Sequence, residues 1–324
     1  MKGVQLFRVM IYKALCLLLL LIGTGSNATG MSQTGSSMSN IITVGVISTN
    51  PKKQYKLIKP LADYLATNLH SFGIDKSEVV IARDTEQMMN LLEQGKVDIL
   101  SETVFTASKL VNEANAELLL LRWKKGVEKY RTVFFVRKDS GIKSLDDLQG
   151  KTIAFEDRSS TSAFYIPASI LLQQGFDLQE LKSPREKPES ERVGYLFSDE
   201  MTASHNEVNI SSWVCNGVIM AGAFSDLNWN DEEDLPTQMR NELNIIYQSN
   251  PFPRSLVLIR SEIDSGLRKE IQRLLLDANN SEAGRNALRR YQKTAKFSHL
   301  NSDALDGIAH AEQLREVVER HLVP

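Results

Sequence analysis

Cysteine is almost absent: two of the 324 residues, Cys16 and Cys215. Cys16 lies inside an amino-terminal apolar run, so a chain that loses this run keeps one thiol and can form no internal disulfide; stability must then come from packing. The five histidines, His70, His205, His299, His310 and His321, fall at no metal-ligand spacing, and none stands beside Cys215. The sequence has no nucleophile elbow, no phosphate-binding P-loop and no dinucleotide glycine pattern. No metal, no cofactor and no enzyme activity are therefore expected. Long apolar runs are missing too, the longest being well short of the roughly 20 residues of a membrane span. Basic residues form no stripe and the formal charge is −2, which argues against nucleic acid as a partner.

What is present begins with an address. Lys2, Arg8 and Lys13 precede the run Ala14-Leu-Cys-Leu-Leu-Leu-Leu-Leu-Ile-Gly23, and Ser26-Asn27-Ala28 supplies small residues at the positions a signal peptidase reads. Residues 1–28 are thus expected to be a cleaved signal peptide, and the protein to be secreted. Cleavage moves the formal charge from −2 to −5. Residues 29–40, rich in Gly and Ser, are expected to be a flexible lead-in. At 324 residues, 42% of them apolar and 24% charged, the chain is long enough for two lobes with real cores.

From Ile41 the periodicity alternates. Ile41-Ile-Thr-Val-Gly-Val-Ile47 is a β-branched run suited to a buried parallel strand, and Leu57, Leu61, Leu65 and Leu69 recur every four residues on one helix face, with Pro60 either tolerated or marking the first turn. Strands at 79–82 and 97–100 flank a helix over 85–94 that ends at Gly95. A further strand at 130–137 leaves the first lobe, a capped helical turn covers 144–150, and 151–155 is the strand before a second α/β lobe. Helices are expected over 201–216, 264–278, 281–292 and 302–320, and strands over 193–197, 218–223, 243–247 and 256–259. Residues 182–192 and the acidic run Asn230-Asp-Glu-Glu-Asp234 read as solvated loops; the latter lacks the alternating ligands and the glycine of a calcium loop. Strand-helix alternation of this kind makes an open parallel sheet, with ligands held outside the carboxyl ends of its strands.

Three of those ends carry hydroxyls: Ser48-Thr49, residues 101–103, and Ser159-Ser160-Thr161-Ser162. Each alone is an ordinary helix cap. Together, on two lobes, they form what a cleft for a small tetrahedral anion requires, because neutral donors and helix amino termini hold an oxyanion without a full counter-charge. The last cluster, which opens a helix after the strand at 151–155, is the centre of this reading. Glu102, Glu156 and Asp157 near strand ends read equally as capping, ion-pair or acid–base groups.

At these residues the chain resembles the secreted binding proteins of phosphate, phosphite and phosphonate import systems, the phosphonate-binding branch of the type II periplasmic binding proteins. The resemblance is carried by Val44-Gly-Val-Ile-Ser-Thr49, Val97-Asp-Ile-Leu-Ser-Glu-Thr103, Tyr130-Arg-Thr-Val-Phe-Phe-Val-Arg137, Leu145-Asp-Asp-Leu-Gln-Gly150 and the cluster at 159–162 through Pro167. It continues through Ala221-Gly-Ala-Phe-Ser225, Pro253-Arg-Ser-Leu-Val-Leu-Ile-Arg260 and Thr294-Ala-Lys-Phe297, and covers roughly residues 41–300.

The resemblance implies an α/β clamshell of two lobes, each an open, mostly parallel sheet flanked by helices: 41–128 plus 244–300 in the first, 129–243 in the second, then a carboxyl-terminal helix over 301–324. Ser160, Thr161 and Ser162 would hold the phosphoryl or phosphonyl oxygens, with Ser48, Thr49 and Thr103 helping across the cleft. Tyr130 would lie near the crossover. Glu102 would either hydrogen-bond a protonated oxyanion or accept from an amine on an organic substituent. Ala163 stands where many relatives have glycine, and Met220 where an aspartate is frequent; no secure counterpart of a second-lobe histidine is found, His205 lying in the right region. The implied protein is a monomeric receptor for a small phosphorus oxyanion, serving an ABC transporter permease. The alternative is a receptor of the same fold that presents its closed form to a signalling partner.

Overall fold

The structure, a computed structural model, describes residues 40–202 and 207–322. The expected signal peptide and nearly all of the lead-in lie outside the described residues, as does His205. No helix among the described residues is long and apolar enough to cross a membrane.

Two six-stranded sheets carry the two lobes. In the first, the strand Ile41–Ile47 lies at the parallel core between Lys76–Ala82 and Ile99–Glu102. Leu256–Arg260 then inserts antiparallel between Ile99–Glu102 and Ala116–Arg122, and Phe297–Ser298 closes that edge. The second sheet has a parallel core of Asp177–Glu180, Arg192–Phe197, Thr152–Phe155 and Ala221–Ser225, extended antiparallel by Thr132–Arg137 and Leu243–Gln248. Both sheets are parallel where helices cross over and antiparallel where the chain doubles back, which a crossover-free return makes possible. Strand Leu243–Gln248 pairs with Thr132–Arg137, so the chain returns to the first sheet after Gln248 rather than at 244.

The passage between lobes is a two-stranded ribbon, Lys129–Tyr130 against Phe252–Pro253, with Tyr130 opposite Phe252. Behind it runs the helix Ser302–Leu322. Its Ala304, Ala311 and Leu314 join the apolar cluster of Val104, Phe105 and Leu110, and its Val318 joins the second-lobe cluster around Phe155 and Phe164. Arg315 on this helix pairs with Glu312 at 2.6 Å, Glu319 at 2.7 Å and Glu113 of the first lobe at 3.5 Å. The carboxyl-terminal helix is thus packed on both lobes.

Local chemistry accounts for the elements. The helix Pro51–Asn68 has Asn50 as its cap, accepting from the Lys53 amide, and Pro51 in its first turn, so Pro60 falls inside the helix. The turn at Leu145–Leu148 has a capping box of Ser144 and Asp147. Between 201 and 216 the helix is shorter than expected: a single turn at Ser198–Met201, then Val208–Cys215. Helix Glu282–Arg290 is capped by Ser281, and Gly284 in its first turn admits a very close backbone approach. A Cβ there would stand 1.9 Å from the Ala278 carbonyl oxygen. Gly284→Ala is therefore expected to destabilise the protein by about 1–3 kcal/mol through overpacking against backbone, read as an earlier denaturant midpoint at unchanged slope. An unshifted midpoint would show that this helix can move away freely.

Candidate functional site

The cluster at 159–162 is reached from strand Thr152–Phe155, whose end places Glu156 and Asp157 at the carboxyl edge of the second sheet. Asp157 turns the chain by accepting from the Ser159 amide at 2.6 Å. The Ser160 hydroxyl accepts from the Ala163 amide at 3.3 Å and caps a wide π turn over Thr161–Tyr165. This turn is closed by the Tyr165 amide donating to the Ser160 carbonyl at 3.0 Å, and it leads into the helix Ile166–Gln173. Such π turns recur at functional sites because they widen the backbone spacing locally. Thr132 pins the turn by donating to the Ser162 carbonyl at 2.8 Å. Ala163 is buried in the second-lobe core with Ala154 and Phe224, so its methyl faces packing. Met220 likewise packs against that lobe's core.

A cavity of about 430 Å³ opens in front of this turn. Six of the eight residues that the resemblance assigns to the ligand line it: Glu102, Thr103, Tyr130, Ser160, Thr161 and Ser162. Thr161 of the second lobe donates to Thr103 of the first at 2.9 Å, a direct bond across the cleft. Ser48 and Thr49 are not among the lining residues; the Ser48 hydroxyl accepts from the Asn50 amide at 3.0 Å and helps cap the neighbouring helix.

Charged residues that local sequence patterns do not single out also line the cavity. Lys124 and Arg254 stand on the first-lobe side, next to the crossover. The Arg254 guanidinium lies over the Tyr130 ring, 4.7 Å from its centroid, and its buried Nε has no hydrogen-bond partner among the described residues. The Tyr130 hydroxyl is likewise buried and makes no hydrogen bond of acceptable geometry among them. Burial raises this phenol, against the pull of Arg254 and of the nearby Ser162 and Thr161 hydroxyls. Burial, together with the cations Arg254 and Arg122, pulls the Lys124 amine well below the usual lysine range. On the opposite wall sit Glu207 and Asp234, together with Glu156, the strand-end carboxylate already named from the sequence. Burial first, then the repulsion of Glu207, Asp157 and Asp199, pushes the Glu156 carboxyl well above the carboxylate range; burial and Asp234 raise Glu207. Asn228 donates to both Glu207 and Asp234 at 2.8 Å and holds them together.

Asp234 belongs to the acidic run that reads from sequence as a solvated loop; here it is half-buried in the cleft wall, where burial raises it. Its neighbour Asp231 bonds Lys125 at 3.3 Å. The signal that could have found Lys124 and Arg254 was their place just beside the two crossover strands. Nothing local distinguishes them from surface cations.

The arrangement can hold an anion. It offers hydroxyls, backbone amides at a helix start, a phenol, and two basic side chains, Lys124 and Arg254, that form no ion pair among the described residues, in a partly buried cavity where each interacts more strongly than in water. Among the described residues no cluster of His, Cys, Asp and Glu has the geometry to hold a metal ion.

Glu102 is the most informative titrating group. Burial pushes its carboxyl up to about 7, against the pull of Lys124 and of the Ile47 and Thr103 amides. A raised native value means the folded state binds the extra proton. Its contribution is therefore fully present below about pH 4.5 and lost as pH rises through about 7, an effect of up to about 3 kcal/mol. Glu102→Gln should remove it, so that the stability of the variant falls less steeply than the parent's between about pH 4.5 and 7.5 in denaturant titrations. Parallel curves would mean that Glu102 is solvated.

The geometry agrees with known proteins. Residues 44–305 match the sequence model of a family described as the periplasmic substrate-binding protein of phosphonate ABC transporters. The XAC2383 protein of Xanthomonas citri, solved with chloride ion, is 30% identical over 88% of this chain and 100% of its own, with a TM-score of 0.82; solved with ATP, it gives 0.81. Two further structures share the fold at lower identity. The binding protein component PA3383 of a phosphonate transporter of Pseudomonas aeruginosa is 20% identical over 85% and 86% of the two chains, with a TM-score of 0.62. PhnD1 of Prochlorococcus marinus, in complex with methylphosphonate, is 14% identical over 88% and 99%, also at 0.62. The fold is that of the type II periplasmic binding proteins, and the chain belongs to the phosphonate-binding family of ABC transporter substrate-binding proteins.

Proposed function

We propose that this protein is a periplasmic receptor that captures a phosphorus oxyanion between its two lobes and delivers it to an ABC permease. The observation that carries the reading is the cleft's unpartnered donor set. Tyr130 and Arg254 each bury a polar atom with nothing to bond among the described residues, in a cavity they share with Lys124 and the hydroxyls of 160–162. Buried donors without partners are uncommon in folded proteins, and an oxyanion in the cavity would satisfy several at once.

Neighbours support the same chemistry. XAC2383 is bound to ATP in one of its structures, and PhnD1 is complexed with methylphosphonate; both ligands end in a tetrahedral phosphorus group. In this chain Ser160, Thr161 and Ser162 would take the oxygens from the second lobe, while Thr103, Lys124 and Arg254 take them from the first. Ser48 and Thr49 would act only indirectly, through the neighbouring helix. A protonated Glu102 would donate to the same oxyanion, consistent with its raised pKa. Burial and mutual repulsion raise Glu156 and Glu207, which lessens their opposition to the same oxyanion. Contacts made to both lobes favour the closed state, the form a permease would recognise.

Thr161→Ala removes a donor from the cradle and the bond to Thr103. It is expected to weaken binding of the best ligand among phosphate, phosphite, methylphosphonate, 2-aminoethylphosphonate and sulfate by about 1–3 kcal/mol, measured calorimetrically. Equal affinity in parent and variant would move the site elsewhere.

A further inference from the structure

Beside the cleft lies a second cavity of about 600 Å³, lined mostly by the first lobe, and Lys124 and Lys125 line both. Its other basic walls come from helix ends far apart in sequence. Lys53 and Lys56 stand on the first turns of Pro51–Asn68, Arg289 and Arg290 end Glu282–Arg290, and Lys293 lies just beyond. Two carboxylates, Asp231 and Glu233, share the groove. Lys125 bonds Asp231 at 3.3 Å; the other basic residues make no ion pair among the described residues.

Gathering this many unpaired cations opposes folding through their mutual repulsion. The backbone adds a second cost. Lys125, Gln292 and Lys293 all have left-handed φ, at 55°, 51° and 55°, and all three line this groove. Non-glycine residues avoid that region unless surrounding structure holds them there, and such residues cluster at ligand sites. Here the hold is visible: buried Arg122 donates to the Tyr291 carbonyl at 2.9 Å and to the Gln292 side-chain oxygen at 3.1 Å. The same guanidinium is close enough to the cleft to depress Lys124. One buried cation therefore anchors the turn that aims Lys293 at the groove and backs the floor of the cleft.

We propose that the groove is a second anion subsite continuous with the cleft, suited to a ligand bearing a chain of several phosphoryl groups. One terminal phosphoryl sits in the hydroxyl cradle, Lys124 and Lys125 meet the middle of the chain, and Lys53, Lys56, Arg289 and Arg290 take the far end. Arginine forks and lysine point charges are the groups that recognise successive phosphoryls. The proposal rests on the reading of the cleft as an oxyanion site and adds the direction in which the ligand extends.

The test is titration calorimetry of the purified protein, at fixed ionic strength and without magnesium, with orthophosphate, methylphosphonate, diphosphate and triphosphate. Triphosphate is expected to bind at least about tenfold more tightly than orthophosphate, and the double variant Lys53→Gln/Arg289→Gln to lose most of that advantage. Both residues are exposed, so folding is not at issue. Triphosphate binding no tighter than orthophosphate, or an advantage that survives the double substitution, would overturn the groove while leaving the cleft reading intact. Triphosphate binding that the double variant abolishes but Thr161→Ala leaves unmoved would overturn the continuity of the two sites. If none of the four anions binds, the cleft reading fails, and this proposal with it.

Discussion

A buried guanidinium organises the first lobe. Arg122 ends the strand Ala116–Arg122 at 2% exposure and stacks on Tyr291, its Cζ 3.6 Å from the ring centroid. Its hydrogen bonds go to neutral acceptors: Thr294 at 2.9 Å, Ser101 at 3.4 Å, the Tyr291 carbonyl and Gln292. A buried cation costs several kcal/mol unless its donors are met and some negative potential is near. Here carbonyls, hydroxyls and an aromatic face supply the partners, and Glu102 lies near enough to be felt by the same guanidinium. The arrangement leaves net positive potential at the crossover, where Lys124 and Arg254 add to it.

The cleft is consequently two-sided. Its first-lobe wall carries cations and a phenol; its second-lobe wall carries hydroxyls, backbone amides and a group of crowded carboxyls. Burial first, and then their mutual repulsion, raises those carboxyls as burial raises Glu102, and each shift favours the neutral, hydrogen-donating form. On the reading proposed above, the basic residues and phenol of one wall and the hydroxyls and raised carboxyls of the other would present donors from both lobes to one anion. That is the condition for ligand-driven closure, since only contacts that differ between open and closed states shift the balance between them.

What resists and permits such motion can also be located. The chain passes between lobes through the ribbon of Lys129–Tyr130 and Phe252–Pro253, a connection of few residues. The helix Ser302–Leu322 packs on both lobes behind it, with Arg315 joined to Glu113. In front, polar contacts cross the cleft from Thr161 to Thr103 and from Lys125 to Asp231. Polar contacts across the cleft and apolar packing behind the ribbon are the arrangement expected of a hinge that opens on one side.

The sequence alone determined the strand-helix alternation, the two lobes, and the hydroxyl cluster at 159–162 as a helix start. These depend on short-range physics: β-branched runs, four-residue leucine spacing, and serine or threonine capping act within a few residues of one another. The strand-end hydroxyls also pointed to Thr103, which lines the same cavity, and to Ser48 and Thr49, which do not; the resemblance to a known family added Tyr130 and a ligand-facing role for Glu102, and both line it. Only the tertiary structure decided which charges matter. Lys124, Arg254 and Asp234 look in sequence like any surface residue, and an acidic run beside proline looks like a loop. They come to line the cavity because Asp234 is folded against Glu207 through Asn228, and because Lys124 is brought beside Arg254 and Arg122. The groove is the extreme case: Lys53 and Arg289 lie on helices at opposite ends of the chain, and nothing local links them. Burial and the placement of neighbouring charges are properties of the folded whole, and they set whether a lysine is a solvated surface cation or the floor of a binding site.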